Sequence, residues 1–316
     1  MLRNQRMRRI LMDQPYAFTT GVYSPIQARI AESVGLNWIF VSGYSCSLGY
    51  LARPDLGFVS MTEMVAWSRL IAKACGLPVI VDGDDGFGDA LQVMRTVEEF
   101  EQAGVSGLTI EDQRLPKRCG HLPGRRCVPI GDAVRKLKAA LEARSDPDFL
   151  IIARTDAYGA EGGGGIDSVI ERGLCYADAG ADVIWAEFPD ASRADAHSFA
   201  QAIKKRFPHL PLFFNYSSSF RWSQLDDPMT FADLGAMGYR MIVLGLGAIH
   251  AAMYGEWNFM LDLKMSEERA QWKLEEILKG HPTEDHHVMG QWPKYQAIAT
   301  RLDNSVAALD GTPGTE

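Results

Sequence analysis

At 316 residues the chain can bury a large core, and 47% hydrophobic with 23% charged residues is an ordinary globular balance. A formal charge of −8 without a long basic run excludes nucleic acid as an expected partner, and no apolar run reaches the ~20 residues of a membrane span. The five cysteines (Cys46, Cys75, Cys119, Cys127 and Cys175) are odd in number, scattered and outside any CxxC pair, which argues against a disulfide frame or zinc knuckle and for a reduced, cytoplasmic setting.

Residues 1–9 are basic but lack the apolar stretch of a secretory signal. Short β-branched and aromatic runs then recur roughly every 30 residues, at 18–22, 38–42, 78–82, 107–110, 149–154, 183–187, 212–215 and 241–244. Most are apolar throughout, as strands covered on both faces should be. Amphipathic stretches at 61–75, 90–103, 132–143, 167–179 and 194–206 lie between them and predict helices. The alternation predicts an α/β fold, a (β/α)8 TIM barrel whose site lies on the loops after the strands. A doubly wound sheet would more readily carry a glycine-rich dinucleotide turn after its first strand, where this chain has Gly21-Val22-Tyr23-Ser24-Pro25. The barrel is expected over 1–265. Residues 266–316 are expected as a helical extension of the same domain, with helices at 266–279 and 293–308 around a polar stretch at 280–287.

The polar residues at the strand ends carry the chemistry. Asp82 and Asp84 close the third run and Glu111 closes the fourth, so three carboxylates at neighbouring strand ends make a hard, oxygen-rich site suited to Mg²⁺. Downstream, Lys117-Arg118-Cys119-Gly120-His121 sets a thiol among three basic residues, whose charge favours the thiolate and makes Cys119 a candidate proton donor. A buried small apolar residue is the usual fate of a free cysteine, but a polar loop is a better place for an acid that closes over substrate. Arg154 ends an apolar run, where an unpaired guanidinium is costly, so a substrate or site carboxylate is expected beside it. Metal plus tunable acid points to an enzyme acting on a small oxyanionic substrate. The glycine run 162–165 lacks the lysine and Ser/Thr of a phosphate-binding loop, and Asp285-His286-His287 reads as solvated surface.

In order and spacing these motifs resemble the isocitrate lyase / phosphoenolpyruvate mutase superfamily over most of the chain. Ser42-Gly43 and Pro54-Asp55-Leu56-Gly57 look like its oxoacid-binding region, Asp82 to Gly88 like its metal loop, and Glu111-Asp112-Gln113 with Lys117 to His121 like the catalytic loop of isocitrate and methylisocitrate lyases. Asn215-Tyr216-Ser217-Ser218-Ser219 resembles the segment that holds the succinate carboxylate in isocitrate lyases, and Trp185 before Glu187 points the same way.

The resemblance implies a Mg²⁺-dependent carbon–carbon lyase, with Mn²⁺ as a substitute ion, acting on a small carboxylate as a homotetramer that exchanges a helix after the barrel. It implies Asp82, Asp84 and Glu111 around the metal with Asp55 outside them. Cys119 is the implied acid, with Lys117, His121, Arg154 and Glu187 beside it in the catalytic group. Ser42, Gly43, Tyr44 and Gly120 would hold the oxoacid, and Asn215, Ser217 and Ser219 the second carboxylate. The expected products are glyoxylate and a succinate-like dicarboxylate. Methylisocitrate or dimethylmalate cleavage to pyruvate is the alternative, with phosphonate mutases and oxaloacetate hydrolases behind it. Three departures mark the chain: Gly245 where isocitrate lyases carry threonine, Phe40 where they carry tyrosine, and the extra carboxylate of Asp85.

Overall fold

The structure, a computed structural model, describes residues 2–310. After a leading helix α1 (Arg3–Asp13) come eight strands: β1 (Ala17–Val22), β2 (Ile39–Val41), β3 (Val79–Asp82), β4 (Gly107–Glu111), β5 (Leu150–Thr155), β6 (Val183–Ala186), β7 (Leu212–Asn215) and β8 (Tyr239–Leu244). All pair in parallel in sequence order, and β8 closes onto β1 through partners such as Phe18 and Ile242. Helices follow the strands: α2 (Pro25–Ser33), α3 (Gly43–Leu51), α4 (Met61–Ala74), α5 (Ala90–Ala103), α6 (Ile130–Ala143), α7 (Gly165–Asp178), α8 (Arg193–Arg206), α9 (Phe231–Met237) and α10 (Gly247–Ser266). The eight expected strands and the closed α/β barrel are therefore present.

Local chemistry fixes where these helices begin. Ser24, Ser42 and Ser192 accept backbone N–H bonds at the starts of α2, α3 and α8. Ser60 with Glu63, and Thr230 with Asp233, form reciprocal capping boxes at α4 and α9. One apolar layer lies between strands and helices. A second fills the barrel interior with Trp38, Phe40, Ile80, Leu150, Ile152, Val183, Trp185, Phe213, Met241 and Val243.

Helix α1 was not anticipated, because its arginines mask a short apolar stripe. Met7, Ile10 and Leu11 join the interior layer, while Arg8 pairs with Asp182 at 2.8 Å. The short helices α2, α3 and α9 also escaped the pattern reading, since seven to nine residues show too little helical period.

The chain falls into two compact units, one ending at Ala251 and the other starting at Ala252; the expected boundary after residue 265 lies at the far end of α10. The second unit contains α11 (Arg269–Leu278), α12 (His286–Met289) and α13 (Trp292–Asp310). The anticipated helix at 266–279 is realised as α11, after a break at Glu267, whose φ is +51°. Among the described residues no helix is long and apolar enough to cross a membrane.

Candidate active site

One polar cavity of about 610 Å³, open mouth included, lies at the C-terminal ends of the strands. Twelve of the residues singled out from the sequence line it: Ser42, Tyr44, Asp55, Asp82, Cys119, Gly120, His121, Arg154, Glu187, Asn215, Ser217 and Ser219. Gly43, Asp84, Glu111 and Lys117 stand behind this wall. The Gly43 N–H is directed at Asp82 Oδ2 (3.2 Å) rather than into the cavity.

The acidic cluster comes from the ends of β3 and β4. Asp82 Oδ1 accepts the Thr109 hydroxyl (3.4 Å) and the Asp84 N–H (3.3 Å). Asp84 has a φ of +46°, a conformation that side chains adopt mainly at turns and functional sites. Lys117, only 3% exposed, reaches into the cluster, with Nζ 2.6 Å from both Asp55 and Asp84. Burial pushes its amine down, but Asp84 and Asp55 outweigh that and hold it charged well above the usual lysine range. Lys117 thus belongs to the acidic cluster and not to the surroundings of the thiol, where the sequence had set it.

These residues fit a hydrated Mg²⁺. Burial raises Asp84 to about 7 and Glu111 well above the ordinary carboxylate range, despite Lys117 and Arg154 nearby. Glu111 Oε1 is buried without a hydrogen-bond partner. The cluster therefore holds more buried carboxylate than its own cations balance, which is the condition a divalent ion relieves. Among the described residues no three His, Cys, Asp or Glu side chains form a ready ligand cage. Mg²⁺ keeps several waters and takes one or two carboxylates directly, so it does not require such a cage.

Cys119 sits on the loop between β4 and α6. The loop was expected to be polar, carrying an acid that closes over substrate; in the structure hydrogen bonds clasp it along its length. Gln113 donates to the Arg118 carbonyl (2.8 Å) and accepts its N–H (2.9 Å), and residues 113 and 127 pair as an antiparallel bridge. The Cys119 N–H donates to the Asp55 carbonyl (3.1 Å). The cationic setting expected from Lys117 and Arg118 is not formed: Lys117 reaches the acidic cluster, Arg118 turns outward to the Pro123 carbonyl (2.9 Å), and His121 Nδ1 lies 4.0 Å from Sγ. Burial pushes the thiol up to about 11; the His121 N–H is the largest pull against it, Asp55 and Glu187 add smaller rises, and Arg154 lowers it least. Cys119 is therefore a protonated thiol at neutral pH, a donor of hydrogen and not a preformed thiolate.

Arg154 finds its carboxylate in Asp156, which accepts from Nε and Nη2 at 2.9 Å each; Glu111 lies 3.5 Å away. Its guanidinium also stacks 4.6 Å above the Trp185 ring. Trp185 packs against Phe213 and Phe40, with centroids at 4.4 and 6.0 Å, so an aromatic layer floors the cavity. Gly120 rests on this group, since a Cβ there would stand 2.8 Å from Arg154 Nη2 and 2.5 Å from Glu187 Cγ. Beside it the Asn215 amide donates to Glu187 Oε1 (2.9 Å), and His121 Nε2 lies 3.4 Å from the same oxygen. Ser217 accepts the Ser219 N–H (3.2 Å).

Some groups were missed or misplaced by sequence reasoning. Asp156 carries Arg154, and the signal was its place two residues beyond that arginine. Asp112 accepts from the Tyr176 hydroxyl (2.7 Å), Arg172 (3.0 Å) and the Asp156 N–H (2.9 Å), partners scattered over 64 positions that no local pattern links. His250 is exposed on α10 and does not line the cavity. The extra carboxylate of Asp85 turns away from it to pair with Lys136 of α6 at 3.0 Å.

A closed parallel barrel with acid, arginine and carboxylates gathered at its strand ends has the build of an enzyme for small anionic substrates. The chain belongs to the phosphoenolpyruvate mutase / isocitrate lyase superfamily: residues 8–258 match the phosphoenolpyruvate phosphomutase family. It is 42% identical to isocitrate lyase of Haloferax volcanii over 299 residues, covering 95% of this chain and 86% of that protein. It is 38% identical to 2,3-dimethylmalate lyase of Eubacterium barkeri, covering 78% and 81%. A solved phosphonopyruvate hydrolase in complex with oxalate and Mg²⁺ superposes with a TM-score of 0.79 at 28% identity, covering 95% of this chain and 99% of that one.

Proposed function

We propose that the protein is a Mg²⁺-dependent carbon–carbon lyase that splits an isocitrate-like 2-hydroxy carboxylate into glyoxylate and a succinate-like dicarboxylate. The observation that carries this reading is a single cavity lined both by Cys119 and by Asp55 and Asp82 of the acidic cluster. Asp82, Asp84 and Glu111 would hold the ion, largely through water, with Asp55 outside them. The ion would supply Lewis-acid polarisation of the hydroxy-acid end.

The residues of the chain then divide the work. Ser42 and Tyr44, with the backbone at Gly120, hold the oxoacid half; Gly43, expected to share this role, is turned to Asp82. Asn215, Ser217 and Ser219 hold the far carboxylate by neutral hydrogen bonds. As a carboxylate of the site takes the proton of the substrate hydroxyl and the carbon–carbon bond breaks, the bond's electron pair passes to the dicarboxylate half as an aci-carboxylate. The Cys119 thiol gives that carbon its proton. Arg154, fixed by Asp156, offers positive charge to the developing anion, and Glu187 positions Asn215 and His121. Lys117 keeps Asp55 and Asp84 in register.

Cleavage of a 2-methyl substrate to pyruvate is the second reading, in line with the dimethylmalate lyase relative. Trp185 packs against Phe40 and Phe213 and lines the cavity; on the first reading its indole occupies the space a substrate methyl would need, which weighs against the second reading. The thiol on the cavity wall disfavours a phosphonate mutase or an oxaloacetate hydrolase. A panel of 2-hydroxy di- and tricarboxylates with Mg²⁺, scored for glyoxylate against pyruvate, tests the assignment. Pyruvate as the main product would replace the first reading by the second.

We also propose a cytoplasmic homotetramer. Trp257, Met260, Trp272 and Trp292 are all more than half exposed, an apolar surface that other subunits would cover. Static light scattering tests this.

A further inference from the structure

We propose that Arg125 is a positioning residue, a buried latch that holds the Cys119–Gly120 segment against the arginine and carboxylates of the site. Arg125 lies on the same loop as Cys119, yet it is only 4% exposed. Taking a guanidinium out of water costs several kcal/mol unless a carboxylate and hydrogen bonds compensate. Here Nη1 donates to the Leu122 carbonyl (2.8 Å), and Nε lies 3.9 Å from Asp156 Oδ1. That oxygen also accepts from Arg154 Nη2 and would lie 3.1 Å from a Cβ at Gly120. Asp156 is thus shared between the latch, the guanidinium of Arg154 and the resting place of the thiol-bearing loop.

The fold reserves space for this side chain. The Arg125 carbonyl accepts the Glu161 N–H (2.7 Å), tying the loop to the segment after β5. In that segment Gly159 packs directly against the guanidinium, and a Cβ there would overlap Arg125 Nη2. Gly159 has no left-handed φ, so its missing side chain answers to this contact and not to backbone freedom. The loop is down when Arg125 is seated; unseating it frees the loop from Asp156.

Two perturbations from opposite sides test the latch: Arg125→Gln removes the charge, and Gly159→Ala obstructs its seat from outside the loop. The probe is iodoacetamide at fixed pH, with each cysteine followed by peptide mapping. Both variants are expected to label Cys119 roughly tenfold faster than the parent, while Cys46 and Cys75 stay unlabelled, as local opening requires. Turnover of the cleaved substrate should fall in kcat with little change in KM, and Arg125→Lys should restore part of both readouts. The turnover arm rests on the role proposed for Cys119, but the labelling arm does not, so failure of one reading is distinguishable from failure of the other. Unchanged Cys119 labelling in both variants overturns the proposal. Labelling of Cys46 in step with Cys119 overturns it equally, because Arg125 would then stabilise the whole barrel and not the loop.

Discussion

Replacing Cys119 by serine separates proton delivery from binding. The thiol is the acid of the proposed cleavage, and general acids contribute roughly 10²–10⁴-fold, or about 3–5 kcal/mol. The neighbouring bases are poorly placed to replace it: His121 Nδ1 is 4.0 Å from the sulfur, and Lys117 is engaged with Asp55 and Asp84. Serine has nearly the same volume, so the barrel and the acidic cluster stay intact. Cys119→Ser is therefore expected to lose at least a hundredfold in kcat while keeping its melting temperature and its affinity for a 2-oxoacid with Mg²⁺. The pH profile of the parent adds a second check. The thiol sits at about 11, above its ordinary 9, so its protonated and active form persists as pH rises and is lost only near the raised value. At pH 9 about 99% of it remains protonated, against about half for an ordinary thiol at its own midpoint. Steady-state kinetics from pH 6 to 10 should therefore show no alkaline loss assignable to Cys119. Serine turnover within threefold of the parent removes Cys119 from the mechanism, and a thiolate-dependent rate that rises through pH 8 removes its role as acid.

Three further outcomes follow from the same geometry. Without metal, the raised Asp84 and Glu111 favour the folded state while protonated; that stability is present below about pH 4 and is lost as pH rises through the Asp84 value of about 7. The increase in melting temperature on adding Mg²⁺ should therefore be larger at pH 8 than at pH 6, and an equal increase at both would count against these ligands. Lys136→Met leaves Asp85 buried without its partner, which should cost about 3–5 kcal/mol and, at about 2 °C per kcal/mol, lower the melting temperature by roughly 6–10 °C. Adding Asp85→Asn should recover most of the loss, and no recovery would show that the pair is not the cause. At Gly245 an added Cβ would meet only Asn215 Oδ1, at 3.4 Å, so Gly245→Thr should fold normally and shift kcat/KM towards compact isocitrate over bulkier 2-hydroxy acids; an unchanged ratio would place the substrate elsewhere.

The barrel was legible because its strands are covered on both faces. A run such as Val79-Ile80-Val81 stays apolar at every position only under those conditions, and the carboxylates that follow it mark where the cover ends. Helix α1 was not legible in this way: three buried residues in eleven give a weak stripe, and its arginines find their partners across the fold. At the site, Asp82, Asp84, Glu111, Cys119 and Arg154 were visible as reactive residue types at strand ends. Their electrostatic states were not, because Lys117 and Arg118 stand beside Cys119 in the chain but turn to other partners in space.

The sequence by itself determined the closed α/β barrel, the superfamily and the cast of residues around the cavity, because strand periodicity and short motifs are local properties of the chain. Tertiary structure alone decided that the thiol is protonated, that Asp85 serves Lys136 and not the cavity, and that Asp112, Asp156 and Arg125 form the support behind Arg154. Burial and Coulomb interaction depend on distances between residues remote in sequence, and folding sets those distances.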